Sequence, residues 1–196
     1  MKRIDTVLPG VCIIEGARHG DDRGFFMELH RDDQFHELGI DVRFVQDNFS
    51  RSQRGVLRGL HYQLGRPQAK LARVLRGEVY DVAVDVRRGS PTFGQWVAVT
   101  LREGENRALF VPVGFAHGFC VVSESAEFLY KCSDYYAPSE ERGILWSDPE
   151  LAIPWPLGQT APLLSAKDVR YGSLGTRPSE DLPPFAVRHH ICCRFR

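Results

Sequence analysis

The chain lacks a long hydrophobic run: nothing in its 196 residues approaches the roughly 18 consecutive apolar residues of a membrane-spanning helix. The start, Met1-Lys2-Arg3-Ile4-Asp5, has a basic pair with no apolar stretch behind it, so a cytoplasmic protein without a membrane role is expected. Charge of one sign is also missing. Lys+Arg and Asp+Glu both number 25, which removes the bias of a protein that coats nucleic acid. Cysteine is sparse and unpatterned: Cys12, Cys120, Cys132, Cys192 and Cys193 form no CxxC and no disulfide framework. The first three read as small apolar core residues. His189, His190, Cys192 and Cys193 cluster, but adjacent cysteines chelate one tetrahedral ion poorly, and an ordinary tail is the simpler reading.

Helical periodicity is scarce as well. One segment, Asp32 to Leu38, has an acidic start, an apolar pair at i and i+3 and a closing Gly39, which predicts a short helix. Elsewhere 12 Phe, 6 Tyr, 3 Trp and many Val alternate with Gly and Pro punctuation, the pattern of short strands. Leu71–Arg76 and Val79–Val86 read as a hairpin about Gly77-Glu78. Trp96–Leu101, Ala108–Val111, Gly118–Val122 and Ala126–Cys132 continue the series. Near-regular strands with turns between them predict an all-β double-sheet barrel or jelly roll with one or two short helices. From Pro138 onward repeated prolines predict a C-terminal segment that wraps the barrel and helps close one mouth. Residues 1–171 are expected to form the domain. Residues 172–196 have linker composition and read as a mobile tail.

A barrel interior is a natural small-ligand cavity, so titratable groups on strands carry the functional signal. In Val56-Leu57-Arg58-Gly59-Leu60-His61-Tyr62-Gln63, strict alternation separates Arg58 from His61, whereas a bulge at Gly59 lets them converge. In Pro112-Val113-Gly114-Phe115-Ala116-His117, Pro and Gly form a tight turn that presents His117 at a strand start. Pro-x-Gly-x-x-His resembles the second metal motif of cupin barrels. The first normally supplies His-x-His, and here it reads His61-Tyr62-Gln63, so the ligands are too few and no metal is expected.

Further blocks extend the likeness. Gly20-Asp21-Asp22-Arg23-Gly24-Phe25-Phe26, Phe44-Val45-Gln46-Asp47-Asn48, Gly77–Asp85, Pro91-Thr92-Phe93-Gly94, Glu127-Phe128-Leu129-Tyr130-Lys131, Asp134–Pro138 and Leu164-Ser165-Ala166-Lys167-Asp168 occur in order. Together with the two blocks above they resemble the dTDP-4-dehydrorhamnose 3,5-epimerase family over roughly residues 3 to 170. The resemblance implies a metal-free and cofactor-free cupin jelly roll, a homodimer, and an isomerase of dTDP-L-rhamnose biosynthesis. Its substrate is a dTDP-4-keto-6-deoxyhexose, inverted at C3 and C5, the carbons α to the ketone.

Such chemistry needs a base, an acid across the ring and a cation for the enolate oxygen. His61 suits the base on residue type. The resemblance adds Asp168 to orient it, Tyr130 as the acid and Lys70 for the enolate. Lysine is not casual filler, since the first 130 residues hold only Lys2 and Lys70. For binding, the resemblance implies Arg23, Arg58 and Lys167 near the diphosphate, Tyr136 stacked on thymine, and contacts from Glu28, Gln46, Asp47, Asn48, His117 and Glu141. Surface ion pairs and turn capping are the plainer readings of the charged and amide residues. Arg23 and Glu28 are expected to reach a neighbouring subunit's site. The rival functions are epimerisation at one centre, sugar-nucleotide binding without turnover, and metal-dependent oxygenation, the last disfavoured by Gln63.

Overall fold

The computed structural model describes residues 1–185. In chain order the strands begin with β1 (Lys2–Asp5), β2 (Cys12–Glu15), β3 (His19–Asp21) and β4 (Gly24–Phe26), followed by the helix α1 (Asp32–Glu37). Then come β5 (Gln46–Gln53), β6 (Leu57–Gln63), β7 (Lys70–Arg76), β8 (Glu78–Asp85) and β9 (Trp96–Arg102). The last are β10 (Arg107–Val111), β11 (Phe115–Val121), β12 (Ser125–Cys132) and β13 (Glu141–Gly143), with single turns of 3₁₀ helix after Ala137.

Two antiparallel sheets face each other, six strands in the order β1-β2-β10-β7-β12-β5 against five in the order β13-β6-β11-β8-β9. Val74, Val79, Ala83, Leu109, Phe115, Phe119 and Phe128 fill the space between them, as alternation along amphipathic strands requires. This is the expected all-β, cupin-type jelly roll, and α1 forms where the acidic start and Gly39 (φ +74°) predict it. Phe35 of α1 covers the outer face of the six-stranded sheet with Cys12, Ile14, Leu71 and Phe110. Cys12, Cys120 and Cys132 are buried thiols.

The hairpin expected at Gly77 is not one. β7 and β8 lie in opposite sheets, and the chain turns the corner between them at Gly77 (φ +80°), where a Cβ would overlap the Ser125 carbonyl oxygen. Alternation marks strand ends and faces but not which sheet a strand joins, so a corner and a hairpin look alike in sequence. His117 is likewise the third residue of β11 rather than its first, although Gly114 (φ +87°) makes the expected turn.

The C-terminal segment wraps the barrel over the outer face of the five-stranded sheet. Ile144, Leu151, Ile153, Leu174 and Leu182 pack on Leu60, Tyr62, Val82, Val84 and Ala116. Residues 172–185 are therefore not a free tail. Leu174 N–H donates to Asp148 Oδ2 at 2.6 Å, Tyr62 OH donates to the Asp181 carbonyl at 2.8 Å, and Arg142 Nε donates to Asp181 Oδ1 at 2.7 Å. Gly- and Pro-rich composition hides such anchoring, because a few buried leucines and backbone carbonyls hold the segment. His189, His190, Cys192 and Cys193 lie outside the described residues.

Candidate active site

The barrel interior changes character along its axis. On β12 and β7, the inward positions Ala126, Phe128 and Val74 are apolar, whereas Tyr130 and Lys70 are not. Gln46 and Asn48 follow on β5, where alternation turns them inward and Asp47 outward. A cavity of about 230 Å³ opens at this polar end, lined also by His61, Tyr62, Gln63, Gln68, Tyr136 and Glu141. His61 comes from the five-stranded sheet and Tyr130 and Lys70 from the six-stranded one, so the cavity has chemically distinct walls on its two sides.

A bulge sets the His61 wall. His61 pairs with His117 and Arg58 with Phe119, leaving Gly59 and Leu60 opposite Gly118 alone. The extra residue cancels strict alternation and puts Arg58 and His61 on the same face of β6, although Arg58 remains exposed. Only glycine serves at position 59: φ is +107° and a Cβ would stand 2.6 Å from the His117 carbonyl oxygen.

Asp168, 107 residues away in sequence, accepts a hydrogen bond from His61 Nε2 at 2.5 Å on Oδ1 and one from Ser165 Oγ at 2.7 Å on Oδ2. Burial pushes this carboxyl up, but the His61 hydrogen bond and charge, with Ser165, hold it below its ordinary range. An ionised Asp168 fixes Nε2 as the protonated nitrogen, leaving Nδ1 with the lone pair. Across the cavity, burial raises the Tyr130 phenol above its ordinary value, and burial lowers the Lys70 ammonium. Among the described residues, no hydrogen bond or ion pair holds the Lys70 Nζ.

Not every expected residue reaches the cavity. Tyr136 does, held by its N–H on Gln46 Oε1 at 2.9 Å. Glu141 does, and it ion-pairs with Lys167, so that lysine faces a carboxylate rather than an open anion site. Arg58 donates to Ser52 Oγ at 3.2 Å. His117 is buried behind the cavity, its Nε2 2.6 Å from Asp81 Oδ1. Asp47 points outward to Lys131 at 3.0 Å, the plainer surface-pair reading. Arg23 sits on the turn of the exposed β3–β4 ribbon, paired with Asp21, and Glu28 accepts from Gln34 Nε2 at 3.2 Å. Neither lines this cavity.

Sequence reasoning gave no role to Gln68, Ser165 or Tyr171, and it read Gln63 only as a missing metal ligand. Gln63 occupies the strand position of the second cupin histidine and acts as a staple: Nε2 donates to the Arg66 carbonyl at 2.7 Å, and Oε1 accepts from Ala137 N–H at 2.8 Å. It thereby fixes the loop that carries Tyr136. Among the described residues, no three His, Cys, Asp or Glu side chains gather as a metal would require.

The sequence matches the dTDP-4-dehydrorhamnose 3,5-epimerase family over residues 5–175. The Pseudomonas aeruginosa dTDP-4-dehydrorhamnose 3,5-epimerase is 59% identical over 169 residues, covering 86% of this chain and 93% of that one. A Streptomyces niveus dTDP-4-dehydrorhamnose 3-epimerase is 43% identical over 163 residues, covering 82% and 78%. Among solved structures, a Legionella pneumophila dTDP-6-deoxy-D-glucose-3,5-epimerase in complex with dTDP-4-keto-L-rhamnose superposes with a TM-score of 0.91. It is 53% identical and covers 94% of this chain and 98% of its own.

Proposed function

The chain belongs to the dTDP-4-dehydrorhamnose 3,5-epimerase family, and from that premise we propose how its own residues divide the reaction. The substrate is dTDP-4-dehydro-6-deoxy-D-glucose and the product dTDP-4-dehydro-L-rhamnose. His61 Nδ1 removes the proton from C3 or C5, and the electron pair of that C–H bond passes into the C4 carbonyl as an enolate. The Lys70 ammonium holds the enolate oxygen. The Tyr130 phenol then returns a proton to the same carbon from the opposite face, inverting it. The imidazolium then releases its proton to solvent and the phenolate takes one from solvent, which resets both groups for the second centre and leaves product and substrate with the same composition.

The observation that carries this reading is the pair of walls: His61 with its ionised Asp168 on one sheet, Tyr130 and Lys70 on the other. Asp168 balances the imidazolium while His61 holds a substrate proton. The high phenol pKa suits a group that must keep its proton until a carbanion-like carbon takes it. Tyr136, half-exposed at the rim, is the stacking surface for thymine, with Gln46 and Asn48 beside it. Arg58 and Glu141 act around the sugar and diphosphate from the cavity's margin, with Lys167 held on Glu141, whereas Asp47 and His117 stay on Lys131 and Asp81 and take no direct part.

Arg23 and Glu28 serve the neighbouring subunit's site in a cytoplasmic homodimer. Support comes from the ribbon that carries Arg23, which leaves Phe25 and Phe26 53% and 69% exposed on one chain, an apolar face suited to a second copy. The working unit extends beyond residue 171 to include the anchored strap.

An NMR time course in D₂O with the dTDP-ketosugar tests the proposal. Deuterium entering at both C3 and C5 is expected. Label confined to C3 would instead establish a single-centre epimerase, the activity that the Streptomyces niveus relative's name describes.

A further inference from the structure

Tyr171 lies one residue past the 3₁₀ turn that supplies Asp168, and its ring meets His61 edge-on with centroids 5.7 Å apart at 68°. Its OH donates to Glu141 Oε1 at 2.9 Å. Its ring also lies over Gly143, which is the β13 residue paired with His61 in register. A Cβ at position 143 would overlap Tyr171 Cε2, Cζ and Cδ2. The absence of a side chain there makes the room that lets the tyrosine stand beside the imidazole. The strap closes the arrangement: the Arg177 guanidinium sits 5.7 Å from the ring centroid and donates to the Gly143 carbonyl.

Resting on the proposed role of His61, we infer that Tyr171 is a positioning residue, seated in the space left by Gly143, which fixes the His61 imidazole against rotation. Asp168 holds one atom of the ring, Nε2. A single hydrogen bond leaves the ring plane free to swing about that point, and the Tyr171 edge removes this freedom. The ring itself is held by its seat over Gly143 and by the Arg177 guanidinium, and the hydroxyl bond to Glu141 adds to that hold. Tyr171 does not need to touch the sugar. Its loss misdirects Nδ1 while leaving the nucleotide contacts as they were.

The test is a coupled set of variants in the full chain. Y171A removes the ring and G143A displaces it without altering it. Each is expected to lower kcat about 10- to 100-fold, the cost of misplacing a reacting group by about an ångström. KM for the dTDP-ketosugar and Kd for dTDP stay within about twofold. Combined with Y171A, G143A adds little, because the overlapped ring is gone. Y171F, which keeps the ring edge, restores most of kcat. In sugar-free protein the His61 imidazole resonances shift in Y171A and G143A and stay near wild type in Y171F.

Unchanged kcat and unmoved His61 resonances in Y171A would overturn the proposal. So would strictly additive losses in the double variant, or a Y171F enzyme as slow as Y171A. The resonances need no turnover, so they judge this inference even where the wild-type chain fails to exchange deuterium, an outcome that would count against the proposed function alone.

Discussion

Two histidine–aspartate pairs stand side by side in this barrel. His61 and His117 are direct cross-strand partners, and each places Nε2 within 2.6 Å of a carboxylate oxygen. The His61 side chain is 22% exposed and lines the cavity, and its aspartate arrives from the wrapping segment. The His117 side chain is 6% exposed, and its aspartate sits on the neighbouring strand β8, paired through Phe119. In one pair both carboxylate oxygens of Asp168 are hydrogen-bonded, Oδ1 by His61 and Oδ2 by Ser165. In the other, Asp81 has its Oδ2 buried with no hydrogen-bond partner. The same two residue types therefore make a cavity-lining pair, the one proposed to act on substrate, where one edge meets open space, and an internal strut where none does. Access, rather than the pair itself, separates them.

Replacing each histidine breaks the comparison most sharply. H61A is expected to lose about 10⁴-fold in kcat, the upper range for a general base, with dTDP affinity retained in calorimetry. D168N follows, on the order of 10³-fold, because an amide permits the unproductive tautomer of His61. H117A should do the reverse, costing about 3 to 5 kcal/mol in denaturant unfolding by stranding the buried Asp81, while turnover per folded molecule changes far less. Equal kinetic losses in H61A and H117A would dissolve the distinction between the pairs.

Acid titration sharpens the same contrast. The native carboxyl of Asp168 sits below its unfolded value of about 4, so its contribution to stability is present above that pH and is lost as pH falls through the native pKa. Thermal melts should therefore decline more steeply below about pH 4 in wild type than in D168N. A smaller effect belongs to the rim. Y136A is expected to weaken dTDP binding about tenfold, the value of one base–aromatic stack, with an unchanged melting temperature because the ring is half-exposed.

Strand alternation, turn glycines and proline spacing made the two-sheet barrel and α1 legible; the ordered motif blocks pointed to His61, Tyr130 and Asp168, and the resemblance together with the scarcity of lysine pointed to Lys70, all of which gather about one cavity. Other parts were not. The bulge at Gly59 leaves no periodic mark, since one extra residue in a seven-residue strand looks like any glycine in a β pattern. The corner at Gly77 reads as a hairpin because local sequence does not encode sheet membership. Asp81 alternates like a solvent-facing acid on β8, and its inward direction becomes visible only once both faces of that sheet are covered. The anchoring of residues 172–185 rests on a few contacts to distant strands.

By itself, then, the sequence determined the strand pattern, the residue types available for proton transfer and the family, because these depend on local spacing and motif order. Tertiary structure alone decided which histidine faces a cavity, that Asp168 reaches His61 across 107 residues, and that Gly143 yields its place to Tyr171. Those outcomes depend on which faces are covered and which backbones approach closely. Long-range packing sets both, and no short window of sequence contains it.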